Sequence, residues 1–475
     1  MKRSLPLLLL AALLGIGALS YWGWQRVSAR REWDLNRPPL PPLAGTSTPG
    51  LDERLATYHR RLEQWPPDTD ALADFTRVCH ANGQLDAAVT GYRTLIKLNP
   101  DEPRWHYRLA SILAGFGRLD EALPHLRGTV ELAPDYTTAR LKLGEALLKS
   151  NDIVEAETVY REVLDREPDN KYAILGVARC DLQGGRLTSA RSHLQRAVVA
   201  HPHFSSAQSL LGTVLERLGN SEGAELARAK VQQGGHYAEP ADPWLSELIN
   251  DCHDPYTFLT AASAAVTEGR LQDALPHLKR GLDLAPENAR LHRQLAKTHA
   301  ALGDQSTARA AMEKAVELEP TNDAIHLDLL ALIRKTNDSA ALASAVARGV
   351  AHCPGSAALQ FEAGLLAAQS GRFGEAARFF ETAWRNQPDQ TAAAYEAATA
   401  HFRQAEPERA VALLEQVLTR HPNETPAAIM LARYGIQSAD SRAAHWLNRA
   451  IATNPPPAAL AELREGFRRR FGVVP

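Results

Sequence analysis

The chain is poor in cysteine, has no excess charge of either sign, and lacks the short motifs of common chemistries. Each shortage removes a class of function. Four cysteines stand among 475 residues: Cys79, Cys180, Cys252 and Cys353. None forms a CxxC pair, so zinc-ribbon, thioredoxin-like and haem-attachment readings fall away. Their wide spacing does not suit a disulfide framework, and they read as small core residues. Lys+Arg number 53 against 55 Asp+Glu, a formal net charge of -2. A nucleic-acid binder would carry a basic excess. At 45% hydrophobic residues, the chain has the material of a folded body rather than of a solvating tail. No GxxxxGK[ST] and no HExxH occurs. A GxSxG string stands at Gly219-Asn220-Ser221-Glu222-Gly223. A nucleophile elbow needs a strand before the serine, and this string falls in a helix-to-helix turn. The 17 histidines recur at equivalent repeat positions (His125, His193 and His277; His201 and His421) instead of converging on one ion. The first group is expected on a solvated convex face. No cofactor, metal, catalytic residue or nucleic-acid partner is expected, and the chain reads as a non-enzyme.

What is present begins at the N-terminus. Met1-Lys2-Arg3 precedes an uncharged, mostly apolar run from Leu5 to Trp24, with Tyr21, Trp22 and Trp24 at its far end. About 20 such residues suffice to cross a hydrocarbon core. Residues 1–25 are therefore expected to be a signal-anchor helix that holds the rest at the membrane on the periplasmic side. The alternative is a cleaved signal peptide, cut at Ala18-Leu19-Ser20, with secretion to the periplasm. Residues 26–50, rich in proline from Pro38 to Pro49, are expected to form an extended tether.

Prolines then mark a ruler. Pro66, Pro100, Pro134, Pro168 and Pro202 recur every 34 residues, and Pro286, Pro320, Pro354, Pro388, Pro422 and Pro456 repeat the spacing. With the ruler proline at position 32, position 20 is alanine in Ala88, Ala122, Ala156, Ala190, Ala224, Ala274, Ala308, Ala376 and Ala410. Position 15 is glycine in Gly83, Gly117, Gly185, Gly219, Gly269, Gly303 and Gly371. Position 8 is small in most repeats. Small residues at 8 and 20 let two helices cross closely, and a glycine between them takes positive φ without steric cost. The ruler slips once, between Pro202 and Pro286. The insert at 232–254 divides an N-terminal array, 51–231 (a lone helix plus five repeats), from a C-terminal array of six repeats, 255–456. A capping helix and tail occupy 457–475, with Leu460, Leu463 and Phe467 on one face. In the insert, Trp244 reads either as a plug of the joint between arrays or as an anchor for a partner.

The period, the small positions and the turn glycine resemble the tetratricopeptide repeat, most closely over Ala139–Pro168, in a membrane-anchored or secreted bacterial type. The resemblance covers about residues 51–458. It implies an all-α fold: a right-handed superhelical solenoid of antiparallel helix pairs, here preceded by the signal or anchor helix. It also implies that positions 2, 5, 9, 12 and 13 of each repeat line a concave face. In the C-terminal array those positions carry Arg290, Arg293, Lys297, Arg334 and Lys335, then Phe361, Tyr395 and Phe402. This basic-then-aromatic groove is the candidate site for a protein or peptide partner. The asparagines of the family's carboxylate clamp are missing at the matching positions. The implied function is a membrane-tethered scaffold that binds a partner protein or extended peptide in an envelope assembly process. The alternative is a permanent accessory subunit of a membrane enzyme, secretion or export complex.

Overall fold

The computed structural model describes residues 5–42, 50–232 and 239–472, with side chains described from Leu19 onward. Met1, Lys2 and Arg3 of the expected anchor, Gly45 and Pro49 of the expected tether, and the tail beyond residue 472 lie outside the described residues. The chain divides into two compact bodies, Met1–Thr257 and Phe258–Pro475.

All regular structure among the described residues is helical. In the N-terminal body, a helix at Leu51–Leu62 precedes five helix pairs whose first members start at Thr69, Pro103, Thr137, Lys171 and Ser205. Six more pairs follow, with first helices starting at Pro255, Ala289, Asp323, Ala357, Ala392 and Thr425. Local chemistry sets the boundaries. Asp68, Asp152, Asn170, Asn288, Asp304, Asp338 and Ser356 each accept a backbone N–H of the helix they open, satisfying a donor that the helix itself cannot. Each second helix stops short of its ruler proline; that of repeat one, for example, ends at Leu98, before Pro100.

The pairs pack as the small residues require. All nine alanines at position 20 are fully buried. Position 15 adopts left-handed backbone in all eleven repeats: the seven glycines have φ between 73° and 89°. Where glycine is absent, Asn151 (φ 64°), Asn337 (53°), Ala405 (59°) and Ala439 (55°) take the same conformation. The turn geometry is thus retained at a cost that glycine would avoid. The last helix, Pro457–Phe471, buries Leu463 and Phe467 and leaves its arginines outside, covering the apolar end of the array.

The N-terminus departs from expectation. One helix runs from Leu5 to Asn36, past the aromatic cluster and through Arg26, Arg30, Arg31, Glu32 and Asp34. Its far end docks on the body. Trp33 is buried and its Nε1 donates to the Leu62 carbonyl at 3.0 Å, while Thr94 Oγ1 donates to the Asn36 carbonyl. Pro38 and Pro41 are buried as well. Among the described residues no helix is long and apolar enough to cross a membrane. The expectations of a transmembrane anchor, of membrane attachment through this helix and of a periplasmic location are corrected on that finding. Only the far end of the helix packs on the body, through Trp33, while Leu19, Tyr21, Trp22, Trp24, Val27 and Leu35 are exposed.

Candidate protein-binding grooves

The first helices of the N-terminal body line a groove, and the chain itself fills it. Residues 239–253 run across successive repeats in reverse order. Tyr172 of repeat four donates its hydroxyl to the Glu239 carbonyl at 2.8 Å. Thr138 of repeat three donates to the Ala241 carbonyl at 2.8 Å. Asp242 accepts from the Tyr136 hydroxyl at 2.8 Å and the Tyr107 hydroxyl at 2.5 Å, with Lys142 Nζ at 3.6 Å. Trp244 stacks on Tyr136, ring centroids 3.8 Å apart and planes within 14°, and meets Tyr107 edge-on at 5.5 Å. Arg108 of repeat two donates to the Trp244 carbonyl and to Glu247, both at 2.9 Å. Asp251 receives Arg77 of repeat one at 2.9 Å and Arg54 of the lone helix at 2.7 Å. Asn82 closes the path, donating to the Asp251 carbonyl and accepting from the His253 N–H.

The electrostatics are those of an acidic segment in a basic channel. Arg108 is 3% exposed and Asp251 is 6% exposed, so both charges depend on partners inside the groove. Burial and the neighbouring Asp242 carboxylate push the Tyr107 hydroxyl far above its usual range, and Tyr136 moves the same way for the same reasons. Both therefore remain protonated donors. The expectation for Trp244 was either a plug of the joint or a partner anchor; it is seated instead in the groove of its own body. The available signal was charge complementarity, with Asp242, Glu247 and Asp251 set against Arg54, Arg77, Arg104 and Arg108.

In the C-terminal body the expected groove residues are found on the first helices of repeats seven to ten, mostly paired. Arg293 Nε and Lys297 Nζ converge on Asp328, at 2.6 and 2.9 Å. Arg334 pairs with Glu362. Arg290 and Lys335 are exposed. The aromatic members are half-buried: Phe361 lies 5.3 Å from Phe380 and Phe402 lies 5.2 Å from Tyr434, centroid to centroid. Tyr395 donates its hydroxyl to Glu424, and burial together with that carboxylate raises its pKa. The rings therefore share contacts with the inter-repeat core.

The four cysteines are unpaired and buried, and burial pushes the Cys79 and Cys180 thiols up to about 12, far from a reactive thiolate. Among the described residues no group of three or more His, Cys, Asp and Glu side chains is placed to hold a metal. His125 and His193 differ from the solvated face expected for position 23. Each is half-buried and bonded, His125 to His106 at 3.0 Å and His193 to Asp181 at 2.9 Å.

No curated protein matches the chain in sequence. Among solved structures, MamA 41-end from Desulfovibrio magneticus RS-1 is similar at 19% identity over 35% of this chain and 93% of that one, TM-score 0.33. Yeast Tom70 is similar at 14% identity over 85% and 95%, TM-score 0.31. YrrB, described as a TPR protein with an unusual peptide-binding site, is similar at 18% identity over 40% and 97%, TM-score 0.31. Two family models, each described as tetratricopeptide repeat, match the chain. One covers residues 113–163, 152–214, 265–333 and 367–434, and the other covers 81–137 and 334–391. With half of its length matched by one model, and with helix pairs, buried position-20 alanines and left-handed turns recurring along it, the chain belongs to the tetratricopeptide repeat family.

Proposed function

We propose that this protein is a non-catalytic interaction scaffold that works as a permanent accessory subunit of a larger complex. It holds an extended segment of its partner on the first-helix face of the C-terminal array. The observation that carries this reading is the seating of residues 239–253 on the N-terminal array, through first-helix positions that include Arg77, Arg104, Tyr107 and Thr138. The matching positions of the C-terminal array include Arg290, Arg293, Lys297, Phe361 and Tyr395. Arg334, Lys335 and Phe402 extend the same face. Arg293 and Lys297 share one carboxylate, Asp328, which leaves a positive surplus for an acidic partner segment. The aromatic residues supply apolar area, and buried aromatic anchors at interfaces often cost about 2 kcal/mol or more when truncated.

The test is capture of partners by the tagged full chain from its native cells. A single stoichiometric partner supports the subunit reading, while many substoichiometric chains would replace it with a general receptor. Substituting Arg290, Arg293 and Lys297 with Glu should weaken capture at low salt and matter less at 1 M salt, where screening shortens to roughly 3 Å. A stoichiometric partner indifferent to these changes and to Tyr395→Ala with Phe402→Ala would move the site off this face.

A further inference from the structure

We infer that residues 239–253 are a built-in ligand of the N-terminal groove, and that the groove's exchangeable ligand is a short acidic-aromatic segment of a partner protein. The shared pattern is an aspartate two residues before a tryptophan, a glutamate three residues after it and a further acid four residues beyond. This deepens the scaffold reading by naming a second binding face and its ligand class.

Three observations carry it. The segment is held as a ligand is held. Side chains from the lone helix and four repeats reach its backbone carbonyls and the carboxylates of Asp242, Glu247 and Asp251, and its tryptophan enters an aromatic slot formed by Tyr107 and Tyr136. The segment also lies outside the repeat pattern, although Leu248 and Cys252 are buried and Trp244 and Leu245 pack against the N-terminal core. It interrupts the 34-residue ruler, forms only a short turn of helix at Pro243–Ser246 and a 3-10 turn at Glu247–Asp251, and leaves Pro243, Ser246, Glu247 and Asn250 exposed. The groove, finally, is cationic where the segment carries its acids. Arg108 is almost fully buried and bonds the segment through both Trp244 and Glu247. Arg54 and Arg77 share Asp251. These cations are complementary to an acidic chain, so the segment's natural competitor is another acidic chain.

Covalent attachment sets the competition. A segment tethered by a short linker acts at an effective concentration on the order of 1 mM. For a free segment with an assumed Kd on the order of 10 μM, a local concentration of that size weakens its binding by roughly 100-fold. A partner held elsewhere on the chain gains the same local advantage and competes on equal terms.

The probe is a fluorescent synthetic peptide of residues 239–254, titrated by anisotropy onto the full chain. A latch variant combines Asp242→Asn, Trp244→Ala and Asp251→Asn. We expect it to bind the peptide at least ~10-fold more tightly than the wild type, approaching the ~100-fold of the tether argument. Replacing Asp242, Glu247 and Asp251 of the peptide by their amides, or adding Arg77→Glu to the latch variant, should abolish binding. Equal affinity in wild type and latch variant, or no binding by a latch variant with wild-type helical content, overturns the proposal. If the variant loses its fold, hydrogen exchange on the wild-type chain decides. Amides of residues 239–253 that open separately from the first helices around Arg77 and Arg108 support a latch, and amides that exchange only when those helices unfold refute it. The peptide reports on the N-terminal groove alone, whereas partner capture with the Arg290, Arg293 and Lys297 variants reports on the C-terminal face, so either reading can fail without the other.

Discussion

Substituting Gly176 by alanine should destabilise the N-terminal array, although alanine is the better helix former. An added Cβ at residue 176 would stand 2.4 Å from Tyr160 Cε1 and 2.5 Å from Cδ1 and Cζ. Favourable carbon contacts lie at about 3.5–4.0 Å, so the ring must retreat by roughly 1 Å. It has nowhere to go. Tyr160 is 3% exposed, and its far side faces Gly144, where an added Cβ would stand 2.7 Å from Cζ. Overpacking of this kind costs about 1–3 kcal/mol. Helix propensity returns up to about 1 kcal/mol. The expected net loss is about 1–2 kcal/mol, and it should be smaller for Gly144→Ala, where the overlap is less. Stability in a repeat array is roughly local, so hydrogen exchange on peptides spanning residues 137–183 is the suitable assay. A loss of about 1.4 kcal/mol appears there as roughly tenfold faster exchange. In a Tyr160→Leu background the same Gly176→Ala change should become neutral or stabilising, because the two sites are in contact and their effects couple. The reasoning fails if Gly176→Ala protects the helices in the wild-type chain, or if its effect is unchanged with leucine at 160.

Three further outcomes follow from particular residues. Ala405→Gly and Ala439→Gly should each stabilise the C-terminal array by about 0.5–1 kcal/mol, since a left-handed alanine costs about 1–2 kcal/mol and glycine's extra unfolded-state freedom takes back about 0.5–1; a fall in thermal midpoint would contradict this. His80 is held down to about 4 by burial, with Arg108 adding to the effect. The unfolded chain therefore binds more protons between pH 6.5 and 4, and stability is lost as pH falls through that window, by at most about 2 kcal/mol from pH 7 to 5; urea unfolding should show a shallower pH dependence for His80→Gln. Truncation after Pro456 should expose the surface now covered by Leu463 and Phe467 and lead to self-association, read by light scattering, whereas a monomeric, equally stable product would show that the last helix is not a cap.

Much of the fold was legible because its causes are local and repeat. A buried alanine at position 20 and a turn at position 15 leave a mark every 34 residues. The mark survives where chemistry varies: Asn151, Asn337, Ala405 and Ala439 take the turn conformation without glycine because the helices on either side dictate it. Less legible was the compensation between positions 8 and 24. Gly144 lies under Tyr160, and Gly364 lies under Phe380. Repeat eight places Leu330 at position 8 and Val346 at position 24, both buried. Position 8 is thus small in proportion to what position 24 requires, a rule about paired volume that no single column displays.

Contacts distant in sequence were not legible at all, and they decide the grooves. Asp251 meets Arg54 across 197 residues, and Asp242 meets Tyr107 across 135. The end of the first helix is likewise set by Trp33 reaching the Leu62 carbonyl, which is why an apolar run that reads as a membrane anchor continues into a helix docked on the core. The same logic bears on the candidate face of the C-terminal array. Arg293, Lys297 and Arg334 stand on first helices, and their partners, Asp328 and Glu362, occupy position 6 of the following repeats. Position 6 in the N-terminal array is where Arg108 grips the inserted segment. One position therefore supplies a cation to an occupied groove and anions to the other array. Asp74, also at position 6, pairs with Arg77 in the N-terminal array, so the charge each groove presents depends on how position 6 is paired with positions 2, 5 and 9 and not on the repeat pattern alone.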